Sequence, residues 1–272
     1  MDLEKRLSEL IEQREGAHMP HVYYGDPNPE FSHKLISTLA ANGADILEFG
    51  IPFSDPTADG GTFQGACERS LNAGVTPTSC LEGIRDLRRS GMELPVIVTT
   101  YYNIPYRMGV DAFMKNLKTV GAQGVIVPNL PIEEAEPLMD AGEKHGIHVI
   151  MLVAPTTTEN RLKRIADKAT GFIYIMNVEG VTGARESITT STLKQVQRVR
   201  KHTDIPLMAG FGISRREHAK AVVQAGADGA IAGSVYAKIY EKHLEDPEKS
   251  LSEIEKLASD LKAGCIEGFQ SR

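Results

Sequence analysis

The sequence predicts an α/β protein in which eight parallel strands alternate with helices and close into one (βα)8 barrel. Three observations favour this fold. Short apolar runs recur along the 272 residues, several of them follow a helical stretch that ends in glycine, and the runs are continuous rather than alternating in polarity. Glycine ends a helix without a Cβ penalty. A continuous apolar run is typical of a parallel strand that is covered on both faces.

The glycine punctuation locates the strands. Gly43-Ala44-Asp45 precedes the second apolar run, Gly121-Ala122-Gln123 the fourth, His145-Gly146 the fifth and Gly226-Ala227-Asp228 the eighth. The average spacing of about 34 residues is close to the size of one βαβ unit. The predicted strands lie near residues 18–24, 45–50, 95–101, 124–128, 147–153, 171–176, 205–209 and 228–232.

Amphipathic stretches between the runs predict the helices. An extra helix over residues 2–15 precedes the first strand and is expected to plug the bottom of the barrel, and a short one over 235–239 follows the eighth strand. The others are predicted at 30–42, 79–89, 110–120, 133–145, 159–168, 192–202, 215–225 and 251–263. No linker divides residues 1–272, so a single TIM-barrel domain is expected. The alternative is a doubly wound open sheet, but its nucleotide fingerprint is missing, because Gly210-Phe211-Gly212 has no third glycine.

Composition excludes several classes of function. The formal net charge is −6, from 30 basic and 36 acidic residues, and no basic block is present, which argues against nucleic-acid and membrane partners. Three widely spaced cysteines suit neither a disulfide framework nor a zinc site. His18 and His21 are three apart on a strand and point to opposite faces, so no metal is expected. With neither a signal peptide nor a long apolar run, the sequence predicts a soluble cytoplasmic protein.

The loop after the second strand carries paired carboxylates. Glu48 lies inside an apolar strand, where an unpaired charge is costly. It is either half of a structural ion pair or a catalytic group. Asp55 and Asp59 follow on a proline-bounded loop, and carboxylates in different environments can supply one acid and one base at neutral pH. The cluster favours catalysis.

Two glycine loops favour a phosphate site. Residues 209–214 follow strand seven, and Gly233-Ser234 follows strand eight and opens the short extra helix. Loops seven and eight form the recurrent phosphate site of such barrels, although either pair taken alone reads equally well as a tight turn. The long loop from Asn177 to Thr190 is typical of a lid.

These loops carry a resemblance to a known family. Residues 47–56 (Leu-Glu-Phe-Gly-Ile-Pro-Phe-Ser-Asp-Pro), with Ala58-Asp59-Gly60, resemble the signature of the tryptophan synthase alpha chain. Further similarity lies at Gly25–Pro29, Gly180–Gly183, Gly210–Ser214 and Gly233-Ser234.

The resemblance implies a lyase that cleaves indole-3-glycerol phosphate to indole and glyceraldehyde 3-phosphate. It implies that Glu48 is the acid/base and that Asp59 accepts a hydrogen bond from the indole N–H. Thr182 would order the lid by reaching Asp59. The implied substrate-binding residues are Tyr101, Tyr174, Thr182, Gly183, Gly212, Gly233 and Ser234. No cofactor is expected, because the family's pyridoxal phosphate belongs to the beta chain.

The resemblance also implies a partner, the beta chain, in an α2β2 assembly. Asp55, Pro56 and residues 103–107 are the expected interface. Two other functions stay open at this point: a free-standing indole-releasing lyase, and a weakly catalytic barrel that binds and activates a beta chain. An unrelated aldolase or isomerase would need a lysine at a strand end, which the predicted strands lack.

The sequence departs from the family pattern at several positions. Gly61 stands where proline is usual and is expected to loosen the segment that carries Asp59, and Asn129 stands where aspartate is common. The indole pocket is usually apolar, whereas His21, Thr99 and Thr100 align with it here. A more polar pocket is therefore expected.

Overall fold

Eight parallel strands close into a barrel in the computed structural model, which describes residues 2–176, 190–210 and 212–272. Each strand pairs with the next along the chain, and β8 closes on β1. The strands are β1 Ala17–Tyr23, β2 Leu47–Gly50, β3 Val96–Thr99, β4 Gly124–Ile126, β5 His148–Val153, β6 Ile173–Met176, β7 Leu207–Gly210 and β8 Gly229–Ala232. The predicted (βα)8 barrel is confirmed.

Helices surround the barrel. They are α1 Leu3–Glu12, α2 Pro29–Ala41, α3 Gly61–Asn72, α4 Pro77–Arg89, α5 Asn103–Met108, α6 Val110–Thr119, α7 Glu136–His145, α8 Glu159–Lys168, α9 Thr190–Arg200, α10 Arg216–Gln224, α11 Ser234–Tyr240 and α12 Leu251–Gln270. The sequence predicted neither α3 nor α5. Helix α3 contains two glycines and many polar residues, and α5 has only six residues, so neither shows a clear apolar period. None of the described helices is both long and apolar enough to cross a bilayer.

Capping residues in the local sequence determine where helices begin. The Asn28 side chain accepts a bond from the Phe31 N–H at 2.9 Å, and Pro29 occupies the first turn of α2. Thr76 and Ser79 form a reciprocal capping box at α4. Such caps satisfy N–H groups that have no partner within the helix. Each cap marks the residue at which a loop ends and a helix begins, and it therefore fixes the end of that loop.

Helix α1 closes the bottom of the barrel, as the sequence predicts. Leu3, Leu7 and Leu10 are nearly fully buried. They pack in one cluster with residues of the strands and of the positions just before them, namely Ala17, Met19, Ile46, Ile97, Ile126, Ile150, Phe172, Met208 and Ile231. This filled interior leaves the opposite, C-terminal end of the strands for polar side chains.

Three hydrogen bonds, here called the rim clips, tie strand starts together at the bottom. In each, the Asp or Gln of a Gly-Ala-Asp/Gln sequence accepts the backbone N–H at the start of the preceding strand. The clips join His18 N to Asp45 Oδ2 (2.8 Å), Val96 N to Gln123 Oε1 (2.6 Å) and Leu207 N to Asp228 Oδ2 (2.9 Å). The Gly-Ala-Asp/Gln sequences that precede these strands therefore also connect neighbouring strands in pairs.

Each rim clip binds one arginine from the helix before the pair. The contacts are Arg6 with Asp45 (2.6 Å), Arg88 with Gln123 (3.2 Å) and Arg200 with Asp228. The β5–β6 pair differs, because Gly171 stands two residues before β6, as Asp45 does before β2. A glycine offers no side chain for such a bond.

Candidate active site

The polar residues of the barrel interior lie at the C-terminal ends of β1, β2 and β3. His21 of β1 pairs in register with Glu48 of β2, and Thr99 ends the neighbouring strand β3. All three side chains are buried, and Glu48 is only 2% exposed. The strand pairing alone therefore brings these three groups together.

Glu48 is held by one of its two carboxyl oxygens. The Thr99 hydroxyl donates to Oε1 at 2.5 Å, and His21 Nδ1 lies 3.3 Å from the same atom. Within the described residues Oε2 has no hydrogen-bond partner, although it is buried. Burial raises the pKa of Glu48 to about 8, with a smaller rise from the Asp59 charge and an opposing effect of the Thr99 bond. The carboxyl is therefore neutral at pH 7 and has a proton to give.

The His21 ring is neutral as well. Burial lowers its pKa to about 3, so its short contact with Glu48 joins two neutral groups and is not an ion pair. The ring packs against Phe63 of α3 and Tyr23 of β1, with centroid separations of 4.6 and 5.0 Å. This aromatic packing accounts for the burial.

Two phenols hold Asp59 on the loop between β2 and α3. The Tyr101 and Tyr23 hydroxyls donate to Oδ2 at 2.6 and 2.8 Å, and the Tyr101 oxygen accepts the Ala58 N–H at 3.0 Å. Burial raises the pKa of Asp59, and the two tyrosine bonds oppose that rise. The Asp59 backbone oxygen also accepts a bond from the Gln64 amide at 2.9 Å. The Asp59 side chain is thus held in place.

Sequence reasoning missed Tyr23. It lies two residues after His21, and alternation along a strand places both on the same face. That spacing is the signal that could have found it. Tyr101, which the resemblance predicts to bind substrate, donates a hydrogen bond to Asp59 in this structure.

Tyr174 of β6 reaches into the same interior. Burial raises the pKa of its phenol well above the usual value, with smaller contributions from the Glu48 and Asp59 charges. A Cβ at Gly210 would lie 2.5 Å from its hydroxyl oxygen. Glycine on β7 therefore makes room for this ring.

The two predicted phosphate loops follow the adjacent strands β7 and β8. Gly212 has φ of +66°, which favours glycine, and Gly233-Ser234 opens α11. A Cβ at Gly233 would lie 2.5 Å from Phe63 Cζ and 3.0 Å from His21 Cβ. The strand-eight loop thus borders the ring that contacts Glu48. Thr182 and Gly183 lie outside the described residues.

Three departures from the family pattern have a defined place. Thr100 follows Thr99 and, by strand alternation, its side chain lies on the opposite face, away from Glu48. Asn129 accepts the Tyr102 N–H at 2.9 Å and so supports the start of α5. Gly61 is the first residue of α3.

The predicted interface residues differ in exposure. Asp55 is exposed and accepts a bond from the Ser54 hydroxyl at 2.5 Å, whereas Pro56 is buried within the chain. Helix α5 presents Tyr106, whose side chain is 74% exposed, next to exposed Arg107.

We predict that Glu48 makes stability depend on pH. Its pKa is about 8 in the folded chain against 4.5 as the ordinary value, so the folded state retains the proton longer than the unfolded state. Its contribution is fully present below pH 4.5 and is lost as pH rises through 8. We expect the unfolding free energy, relative to Glu48→Gln, to fall by about 4–5 kcal/mol at most. Denaturant titrations of both proteins at pH 5, 7 and 9 measure this, and parallel pH profiles would contradict it.

Comparison with known proteins agrees with this architecture. The family model described as tryptophan synthase alpha chain matches residues 7–265. The tryptophan synthase alpha chain of Methanocaldococcus jannaschii is 45% identical over 246 residues, covering 90% of this chain and 87% of the relative. That of Klebsiella pneumoniae is 39% identical, covering 96% and 97%.

A solved structure is similar over the same length. The crystal structure of the tryptophan synthase alpha chain from Legionella pneumophila superposes with a TM-score of 0.87 at 32% identity and covers 97% of both chains. Family model, sequence relatives and structure thus coincide over nearly the whole chain. The chain belongs to the tryptophan synthase alpha chain family.

Proposed function

We propose that this chain cleaves indole-3-glycerol phosphate to indole and glyceraldehyde 3-phosphate as the alpha subunit of tryptophan synthase. One observation carries the assignment: a buried, neutral Glu48 lies with Asp59 in one interior site, beside two glycine loops suited to phosphate. The chemistry needs proton transfer and charge stabilisation alone, and the proposal includes no cofactor.

Glu48 acts as acid and then as base. Its proton goes to the indole ring carbon, which becomes a leaving group only when protonated. The resulting carboxylate takes the proton of the adjacent glycerol hydroxyl as the carbon–carbon bond breaks and the aldehyde forms. A carboxyl that is neutral at rest and still acidic near pH 8 can perform both transfers.

Asp59 stabilises the charge that develops on the ring. The two phenols occupy Oδ2, and within the described residues they are the side-chain donors to this carboxylate, so Oδ1 is available to the indole N–H. A negative group fixed before the reaction stabilises a transition state without reorganising. Tyr174 and Tyr101 would line the indole pocket.

The phosphate would bind where strands seven and eight end. Backbone N–H groups at Gly212, Gly233 and Ser234 can approach an anion closely, and the start of α11 adds partial positive charge. Gly183, on the loop after strand six, would complete the phosphate site, and Thr182 of the same loop would reach Asp59.

The proposed partner is a beta chain, in an α2β2 assembly. Asp55, Pro56 and residues 103–107 lie after β2 and β3, at the same end of the barrel as Glu48. An indole released at that end would face the partner. We further propose that residues 1–272 act as one cytoplasmic domain, with neither nucleic acid nor membrane as a partner.

The direct test is release of glyceraldehyde 3-phosphate from indole-3-glycerol phosphate, by the purified chain alone and with its cognate beta chain. Weak activity that rises strongly with the beta chain supports the proposal. Full activity of the chain alone favours the free-standing lyase. Absence of release in both cases would reject the lyase and leave a binding role.

We predict that Tyr106→Ser weakens beta-chain binding at least tenfold without changing the activity of the isolated chain. A large exposed aromatic ring is typical of an interface anchor, and truncation of such a hot-spot residue costs about 2 kcal/mol or more. Isothermal titration calorimetry measures the affinity. Ile11→Ser is the matched control, because Ile11 is an exposed apolar residue on α1 at the opposite end of the barrel. Equal effects of the two variants would exclude Tyr106 as an anchor.

A further inference from the structure

We propose that Thr99 and His21 are positioning residues that hold Glu48 by Oε1, so that Oε2 is the atom which exchanges the proton with the substrate. The inference rests on the proposed function and adds two side chains to it. Both are polar residues at positions that align with the usually apolar indole pocket of the family.

The Thr99 contact determines which oxygen is protonated. The hydroxyl donates to Oε1 at 2.5 Å, and a donor selects the carbonyl oxygen of a neutral carboxyl. The acidic hydrogen of Glu48 therefore resides on Oε2. Within the described part of the chain that oxygen has no partner although it is buried, and an unsatisfied buried polar atom is destabilising. A substrate atom bonded to Oε2 would remove that cost.

His21 supports the same arrangement from the other side. Nδ1 lies 3.3 Å from Oε1, close enough to restrict where that oxygen can lie. The ring cannot swing away easily. A Cβ at Gly50 would lie 3.0 Å from His21 Nε2, and one at Gly233 would lie 3.0 Å from its Cβ. The Phe63 and Tyr23 rings pack against it at tilted angles of 56° and 43°.

Among the described residues, three titratable groups face the Glu48 carboxyl. His21 comes from β1, Asp59 from the loop after β2 and Tyr174 from β6. His21 and Tyr174 are neutral at pH 7, because burial disfavours their charged forms. The Asp59 charge disfavours ionisation of Glu48, and the Thr99 bond to Oε1 favours it. Loss of the Thr99 donor should therefore raise the pKa of Glu48 and release its orientation.

Thr99→Val tests this with almost no change in volume. We expect kcat to fall about tenfold while KM stays within about twofold of the wild-type value. The alkaline limb of the profile of kcat against pH should move to higher pH by about one pH unit. Thr99→Ser retains the donor and should restore both values. Thr119→Val is the control, because Thr119 is exposed on α6 and bonds only the Lys115 carbonyl in the described structure.

His21→Phe fills the ring's space and removes the nitrogen that lies 3.3 Å from Oε1. It should lower kcat, because the Glu48 carboxyl then loses one of the two side chains that orient it. Because both side chains act through Oε1, the double variant with Thr99→Val should lose less than the product of the single losses.

A measurement made without substrate tests this inference independently of the proposed function. Carbon-13 NMR of labelled glutamate carboxyls, with the Glu48 signal assigned by its loss in Glu48→Gln, follows the Glu48 titration directly. A raised Glu48 pKa in Thr99→Val but not in Thr99→Ser supports the inference, even if the wild-type chain fails to cleave indole-3-glycerol phosphate. Wild-type titration and turnover in Thr99→Val, or a Thr99→Ser variant as impaired as Thr99→Val, would overturn it.

Discussion

Glu48→Gln is expected to reduce cleavage of indole-3-glycerol phosphate by about 10³-fold or more while leaving the barrel folded. Glutamine preserves the size of the side chain and can keep the bond from Thr99, but it cannot release and recover a proton. One positioned acid–base group typically contributes 10²–10⁴-fold, and Glu48 handles both proton transfers. The measurement is kcat of the isolated chain and of its complex with the beta chain.

The stability of Glu48→Gln distinguishes a loss of catalysis from a folding defect. Because Glu48 is neutral when buried at pH 7, the uncharged amide should keep or raise the melting temperature. Glu82→Gln on the exposed face of α4 is the matched control and should be fully active. If Glu48→Gln retained more than a tenth of wild-type kcat, another residue would have to supply the proton.

Asp59→Asn is expected to lower kcat/KM by about 10²–10³-fold, the usual cost of removing one preorganised electrostatic group. The amide can still meet the indole N–H through its oxygen, but it carries no charge to offset the positive charge on the ring. Its NH2 group also cannot accept from both Tyr23 and Tyr101, which donate to Oδ2 in the wild type. Loss of charge and loss of position therefore act together.

Two tyrosine variants distinguish the effect of losing the Asp59 charge from the effect of losing its position. Tyr23→Phe and Tyr101→Phe keep the Asp59 charge and remove one donor each, so each should cost much less than Asp59→Asn. Asp86→Asn, an exposed change on α4, is the control for removal of a carboxylate. Equal activity of Asp59→Asn and wild type would remove Asp59 from the mechanism.

The fold could be predicted because its signals are local. Helix-ending glycines and continuous apolar strands are visible in short windows, and Asn28 and Thr76 mark helix starts within three residues. Helices α3 and α5 escaped prediction, because their stability comes from packing and from contacts such as Asn129 to the Tyr102 N–H rather than from an apolar period.

The candidate site was only partly predictable. Glu48 and Asp59 stand out as carboxylates in an apolar strand and on a rigid loop. Their partners do not, because the Thr99 contact with Glu48 joins residues 51 positions apart and the Tyr23 contact with Asp59 spans 36. These pairings depend on strand register, which a single sequence does not display.

The rim clips have a consequence for the order of folding. Their arginine bonds span only 39, 35 and 28 residues, so each clip can close within a helix–strand–helix–strand segment before the barrel is complete. Contacts between residues close in sequence form fast. We infer that the chain assembles from such quarter-barrels, the first of them complete once Asp45 has left the ribosome. The β5–β6 quarter, which contains Gly171, would join last. Pulsed hydrogen exchange during refolding measures when each amide becomes protected. Protection of the His18 amide no earlier than that of the Ile173 amide would refute this order.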